Sequence, residues 1–88
     1  PTVRQLEYFL AVAELRHFGR AAQSCNISQP TLSHQLRALE DRLGTALIDR
    51  AAQSVELTPV GREISERARR VLREIRDIRA VAARARKQ

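Results

Sequence analysis

The sequence predicts a mainly α fold: a core of three helices, a small β-hairpin and a long C-terminal helix. Three observations lead to this prediction. Apolar residues recur at steps of three and four along most of the 88 residues, extended-type runs occur between residues 46 and 58, and no proline follows Pro59. Because a chain this short holds one small core, a large enzyme with a deep cleft is disfavoured.

The composition is that of a globular domain with a modest core. Hydrophobic residues make up 43% of the chain and charged residues 30%, whereas aromatic residues make up 3%. No run approaches the ~20 apolar residues of a membrane span, and no secretory leader pattern is expected. The single cysteine, Cys25, excludes an intramolecular disulfide. This usage is compatible with a reducing cytosol, so we expect a cytoplasmic protein that does not bind membranes.

The net charge of +6 is concentrated in the last third of the chain. Residues 1–58 carry six basic and six acidic side chains, whereas residues 59–88 carry ten basic and four acidic ones. A polyanion is the natural partner of so basic a chain. The first 58 residues are neutral, however, so nucleic-acid binding there has to follow from the pattern of residues.

Two helices are predicted before residue 27. Apolar residues between Val3 and Ala13 repeat at three- and four-residue steps, which predicts an amphipathic helix of about three turns with Thr2 as its N-cap. Gly19 opens a second, short helix with small apolar residues on one face. It ends near Asn26, a residue type that tolerates the left-handed backbone of a sharp turn.

A third helix is predicted from Gln29 to Leu43. Ser28 is a suitable N-cap, and Pro30 costs little because the amide it lacks has no helical partner in the first turn. Gly44 ends the helix. The predicted inner face consists of Leu32, Leu36, Leu39 and Leu43. Together with the second helix this makes a helix-turn-helix, whose outward face is small and polar.

Extended segments and a strong helix start follow. The apolar pairs around residues 47–48 and 55–57 flank the polar residues 51–54, which predicts a hairpin. Thr58 followed by Pro59 predicts a fourth helix that runs to about Lys87.

The fourth helix carries a coiled-coil pattern. Apolar positions alternate at steps of four and three over three heptads. We expect the early part to pack on the chain's own core and the rest to need a partner, which predicts a homodimer. The seam residues are Ile64, Ala68, Val71, Ile75, Ile78 and Ala82. The arginines between them fit a solvated face, a membrane-surface helix or phosphate contacts. Favourable Glu–Arg pairs at i and i+4 support the solvated face. The lack of Trp and Phe in this helix weakens the membrane-surface interpretation.

The segment from Leu6 to Thr58 resembles the winged helix-turn-helix domain of LysR-type transcriptional regulators. Its centre reads RAAQSCNISQPTLSHQLRALEDRLGTALIDR, and LTP begins the last helix. The runs SQPTLS and QLRALEDRLG and the arginine before the wing have the family's order and spacing, and HFGRAAQSCNISQPTLS is similar to the peroxide-responsive OxyR-like branch. The resemblance implies a DNA-binding domain at residues 1–58 and a linker helix for dimerisation at residues 59–88. It places the effector-binding domain outside these 88 residues.

The resemblance also implies a function. A homodimer would bind double-stranded DNA at an interrupted palindrome, with recognition helix 29–43 in the major groove and the wing on the backbone or minor groove. RNA polymerase is the implied partner of the full-length, nucleoid-associated regulator, and tetramer formation is left open. The implied DNA-binding residues are Ser28, Gln29, Pro30, Thr31, Ser33, His34, Arg37, Arg50 and Gln53. Many relatives carry arginine where His34 stands and a basic wing tip where Gln53 stands, so both positions lack an expected charge.

Other functions were weighed on the same residues. Cys25 is interpreted as a small buried hydrophobic residue, since no basic neighbour in sequence activates its thiol. His17, His34 and Cys25 lack metal-ligand spacing, so neither a metal nor a cofactor is expected. No motif such as G-x-S-x-G accompanies the Ser and His residues, so no enzyme is expected. The alternative to DNA binding is a winged helix that contacts only proteins and uses the last helix as a coiled-coil arm.

Overall fold

The computed structural model describes residues 1–87, which form four α-helices and one two-stranded sheet. The elements are α1 (Val3–Leu15), α2 (Phe18–Ser24), α3 (Gln29–Leu43), β1 (Ile48–Asp49), β2 (Glu56–Leu57) and α4 (Pro59–Arg86). The strands are antiparallel, with Ile48 opposite Leu57. The predicted three-helix core, hairpin wing and long C-terminal helix are confirmed.

Three of the helices begin at the predicted caps. Thr2 accepts a hydrogen bond from the Gln5 amide at 3.0 Å and donates its own amide to the Gln5 side chain at 3.1 Å, which completes a capping box. Ser28 Oγ accepts from the Thr31 amide at 3.2 Å. Thr58 Oγ1 accepts from an amide in the first turn of α4 at 2.9 Å. Each cap satisfies an amide that has no partner within its helix.

The second helix begins one residue earlier than predicted. Phe18 is its first residue, and His17 is the N-cap, with Nδ1 accepting from the Arg20 amide at 3.0 Å. Histidine is not among the preferred N-cap residues, so the sequence pattern carried no signal for this start. The predicted left-handed turn is confirmed at Asn26, where φ is 57°.

The core lies between α1, α2, α3 and the hairpin. Residues that are at most 1% exposed are Phe9, Val12, Ala21, Leu32, Leu36, Leu39 and Leu47. Three leucines of α3 therefore face inward as predicted. The prediction was wrong for Leu43, which is 37% exposed because it is the last residue before the chain turns away at Gly44, where φ is 73°.

Cys25 is only partly buried. It is the C-cap of α2 and packs against the edge of the core, with Sγ 3.8 Å from Ser24 Oγ. Cys25 was expected to be buried but is only partly so. The reason is that it follows the last turn of α2 and lies beside the inward face formed by Ala21 and Ala22.

The long helix α4 starts against the core and then leaves it. Ile64 packs on the core, and Ser65 and Ala68 are buried. Beyond them Val71 is 43% exposed and Ile78 is 66% exposed. The expectation that the early part of the seam packs on its own chain is confirmed. None of the helices in residues 1–87 is long and apolar enough to cross a membrane.

Candidate nucleic-acid interface

The first half of α3 presents a polar face to solvent. The exposed residues of this face are Ser28, Gln29, Pro30, Thr31, His34 and Arg37, and Ser33 is half-buried. The leucines on the opposite side are buried in the core, so this face is held outward. A helix mounted in this way can enter a major groove, which is about 12 Å wide.

Two hydroxyl groups are linked at the start of α3. Ser28 Oγ donates to Thr31 Oγ1 at 2.8 Å while it accepts from the Thr31 amide at 3.2 Å. The hydroxyl proton of Ser28 is therefore engaged within the protein. The Thr31 hydroxyl keeps its own proton and is the donor that remains available to an acceptor outside the chain.

The start of α2 lies against the start of α3. A Cβ built at Gly19 would lie 3.7 Å from Gln29 Oε1, so the Gln29 side chain passes beside the first turn of α2. Arg20 is exposed in that same turn. The sequence analysis did not single out Arg20.

A groove of ≈ 390 Å³ separates the wing from α3. Ser33 of α3 and Arg50 and Gln53 of the wing all line it, and the family resemblance implied all three as DNA-binding residues. Asp49 lines the same groove, and its carboxylate accepts from the Ala51 amide at 3.0 Å. Positive and negative groups thus face one groove, and Arg50 is the only basic residue that lines it among residues 1–87.

Arg50 is held by an acid that the sequence analysis missed. Arg50 Nη1 donates to Glu40 Oε1 at 2.8 Å, and Glu40 Oε2 accepts from the amides of Leu47 at 2.7 Å and Ile48 at 3.2 Å. The Glu40 side chain is 11% exposed and the Arg50 side chain 36%. A signal was present in the sequence: Glu40 follows Leu36 by four residues and therefore lies on the leucine face of α3.

The wing root, residues 46–48 and 57–58, is fastened to the start of α4. The Thr58 amide donates to the Leu47 carbonyl at 3.0 Å, and Thr58 Oγ1 donates to the Ala46 carbonyl at 2.7 Å. Gly61 lies so close to the backbone of Leu47 that a Cβ added to it would overlap the Leu47 carbonyl oxygen. A glycine is required here by the close approach of two backbones.

A surface ion pair joins the wing to α1. Arg16 Nη1 lies 3.1 Å from Glu56 Oε2, and the two side chains are 48% and 47% exposed. An exposed pair of this kind is worth about 0–1 kcal/mol, so it contributes little to the position of the wing.

The predicted dimerisation seam divides between two environments. Ala68 is buried and Ile64 is partly buried against the chain's own core, whereas Val71, Ile78 and Ala82 are exposed. Ile75 is half-buried in a groove of ≈ 470 Å³ between α1 and α4. Five of the six predicted residues thus remain at least partly accessible, and Ala68 is buried.

The residues weighed as metal ligands are spread over different elements. His17 caps α2, Cys25 follows it, and His34 lies on the outward face of α3. Within the part of the chain that the structure describes, no group of three or more His, Cys, Asp and Glu side chains could hold a metal ion.

The same helices and wing occur in a known family. The bacterial regulatory helix-turn-helix proteins of the lysR family match residues 3–62 of the chain. This chain belongs to the LysR family. The LysR-family chain is 51% identical to the hydrogen peroxide-inducible genes activator of Pectobacterium carotovorum subsp. carotovorum. The match extends over 81 residues, which are 92% of this chain and 27% of that relative. It therefore spans about a quarter of the length of the curated relatives it matches.

Solved structures agree with this assignment. Full-length OxyR C199D from Pseudomonas aeruginosa has a TM-score of 0.90 and 43% identity, over 94% of this chain and 28% of that one. The BenM DBD bound to catB site 1 DNA has a TM-score of 0.92 and 34% identity, over 97% and 96% of the two chains. The resemblance to LysR-type regulators, and to OxyR-like ones among them, is confirmed. The LysR-family chain thus contains the helix-turn-helix of the bacterial regulatory proteins of that family.

Proposed function

We propose that this chain binds double-stranded DNA sequence-specifically as a homodimer, with α3 in the major groove and the wing on the backbone or minor groove. The observation that carries the proposal is the outward polar face of α3 beside a wing groove that gathers Ser33, Arg50 and Gln53. The similarity to a BenM DBD in complex with DNA supports it.

In this proposal the first turns of α3 contact the bases. Gln29 pairs with adenine, Thr31 meets a thymine methyl, and His34 donates to guanine. Pro30 packs beside them at the base edges. The residues assigned to the phosphates are Ser28, Ser33, Arg37 and Arg50, and Gln53 lies at the wing tip. Ser28 donates to a phosphate once its hydroxyl proton turns away from Thr31. Phosphate contacts position the protein, whereas base contacts specify the sequence.

The assembly in this proposal is a two-fold dimer through α4. Val71, Ile75 and Ile78 supply the apolar contacts, with the small Ala82 beyond them. A two-fold dimer presents two copies of α3, so the DNA site is an interrupted palindrome whose half-sites are a whole number of helical turns apart.

The chain in this proposal is part of a longer cytoplasmic transcriptional regulator. Residues 1–58 are its DNA-binding domain, residues 59–88 its linker helix, and RNA polymerase a partner of the complete protein. The lengths of the relatives, of which this chain spans about a quarter, support a longer protein, and the start of α4 at Pro59 supports the division.

The test of base reading compares two residues of α3 on duplexes selected by the wild-type chain from a random library. His34→Ala is expected to cost about 1–3 kcal/mol at one base-pair position and to relax the preference there. Arg37→Ala is expected to weaken all duplexes alike and to reduce the salt slope by about one. Arg42→Ala, near the end of the same helix, is the matched control and should change affinity least. Binding to random duplex without a steep salt dependence would favour the protein-contact alternative.

The test of the dimer uses Ile78→Glu. Ile78 is 66% exposed in the single chain, so the substitution spares the chain's own core. Burying an isoleucine is worth about 1.5–3 kcal/mol, and a buried unpaired charge is costly, so sedimentation should show monomers. Ile75→Glu should act alike, whereas Ala80→Glu, on the opposite face of α4, should leave the dimer intact. An undisturbed dimer in Ile78→Glu would contradict the seam.

A further inference from the structure

Glu40 has a geometry that the proposed function does not use. Its two carboxylate oxygens have different partners: Oε2 accepts from the amides of Leu47 and Ile48, and Oε1 accepts from Arg50 Nη1. One oxygen thus holds the root of the wing, and the other holds a guanidinium that lines the groove between the wing and α3.

The two oxygens have separable roles. A glutamine at position 40 can place its carbonyl oxygen at Oε2 and keep both amide bonds. Its NH₂ group would then face Arg50 Nη1. Both groups are hydrogen-bond donors, so the hydrogen bond with Arg50 would be lost. Glu40→Gln therefore removes the hold on Arg50 while the wing root keeps its acceptor.

We propose that Glu40 is a positioning residue for DNA binding, which orients the Arg50 guanidinium in the wing groove before DNA arrives. This inference rests on the proposed function, in which Arg50 contacts the DNA backbone. Arg50 uses one of its five N–H donors on Glu40 and keeps the others, and its side chain is 36% exposed. A guanidinium that is already oriented loses less rotamer freedom when it meets a phosphate.

Charge and geometry have opposite effects on affinity here, and this makes the proposal testable. Removing the negative charge of Glu40 adds one net positive charge beside the groove, which strengthens non-specific attraction to DNA. Loss of the orientation of Arg50 weakens the specific complex. If Glu40 positions Arg50, Glu40→Gln lowers affinity for a selected duplex in spite of the added positive charge, because the phosphate contact of Arg50 is weakened.

The experiment measures affinity for a 40-base-pair duplex selected by the wild-type chain and for a random duplex of equal length, with melting temperatures for each variant. Glu40→Gln and Arg50→Ala are each expected to weaken binding to the selected duplex by about tenfold, and the double variant by no more than Arg50→Ala alone. Asp41→Asn makes the same charge change one residue along on an exposed side chain and is the matched control. It should not weaken the selected complex.

The outcomes separate the two proposals. A wild-type chain without salt-dependent affinity for either duplex overturns the proposed function. Arg50→Ala without effect overturns the Arg50 contact and with it the role of Glu40. Two outcomes overturn the positioning role and leave the proposed function standing. In the first, Arg50→Ala weakens binding but the affinity of Glu40→Gln equals that of Asp41→Asn. In the second, the losses of affinity in Glu40→Gln and Arg50→Ala multiply in the double variant.

A second measurement does not depend on whether Glu40→Gln folds. In the DNA-free wild-type chain, the guanidinium N–H signals of Arg50 in NMR spectra should show restricted rotation compared with Arg42, an exposed arginine of the same helix as Glu40. If rotation averages the guanidinium N–H signals of Arg50 as fully as those of Arg42, the proposal is overturned.

Discussion

Gly61→Ala tests how tightly the wing root packs on α4. Gly61 is buried in the first turn of α4. A Cβ at this position would overlap the Leu47 carbonyl oxygen and lie 3.0 Å from its carbonyl carbon and 3.1 Å from Thr58 Oγ1. The nearest atoms belong to backbone and not to the end of a flexible side chain, so a methyl group fits only if the chain moves.

The expected loss of stability is about 2 kcal/mol. Inserting a methyl group into a packed site costs about 1–3 kcal/mol. Moving the Leu47 carbonyl also weakens the hydrogen bond it accepts from the Thr58 amide, a bond worth about 0.5–1.5 kcal/mol. Alanine's helix propensity opposes these losses by at most about 1 kcal/mol. The balance corresponds to a fall in Tm of roughly 8–16 °C for a domain of this size.

The assay is thermal unfolding followed by circular dichroism at one fixed protein concentration, because association changes apparent stability. Gly19→Ala is the control: the nearest atom to its added Cβ is His17 Cε1, at 3.0 Å and at the end of a side chain that can move. Its stability should change by less than about 1 kcal/mol. A melting temperature of Gly61→Ala at or above that of the wild type would refute the close packing of the two backbones.

Three further substitutions give smaller effects. Thr58→Val removes the cap of α4 and the bond to the Ala46 carbonyl, and should cost about 1–2 kcal/mol in urea unfolding. Cys25→Ala should lower the free energy of unfolding by about 1 kcal/mol or less because the thiol is only partly buried. The DNA affinity of the wild type and of Cys25→Ala should not respond to peroxide, and a response of the wild type that is lost in Cys25→Ala would contradict this expectation. Arg16→Ala breaks a half-exposed pair with Glu56, so the loss should stay below about 1 kcal/mol and shrink at high salt; a larger, salt-independent loss would show that the pair positions the wing.

Except for the start of α2 at His17, helix boundaries were predictable because their signals are local and come from residue types that commonly cap helices. Thr2, Ser28 and Thr58 each accept from an amide three residues ahead, so the interaction lies within one turn of sequence. Asn26 and Gly44 take up the left-handed backbone where the helices before them end. Residue types that favour such short-range geometry can be recognised before any tertiary contact is known.

Contacts across the fold were less predictable. Glu40 and Asp41 are adjacent acids in the sequence, yet Glu40 is buried and Asp41 is exposed. The helical position of Glu40 on the leucine face indicated burial, but its partners come from residues 47–50, which no periodicity connects to it. The role of Gly61 likewise depends on the strand that passes beside it. Position on a helix can be derived from sequence, whereas the identity of the facing group requires the packed structure.

The peptide groups of Leu47 connect the end of α3, the wing and the start of α4. Its N–H donates to Glu40 at 2.7 Å, its carbonyl accepts from the Thr58 amide at 3.0 Å, and Gly61 packs against that same carbonyl. Because residues in one hydrogen-bonded network do not act independently, a shift of the carbonyl in Gly61→Ala also strains the bond to Glu40. The double variant Gly61→Ala with Glu40→Ala, which removes the acceptor of the Leu47 amide, should therefore lose less stability than the two single losses together, by about 0.5–3 kcal/mol. Additive losses in urea unfolding would show instead that α4 and the recognition helix hold the wing root independently.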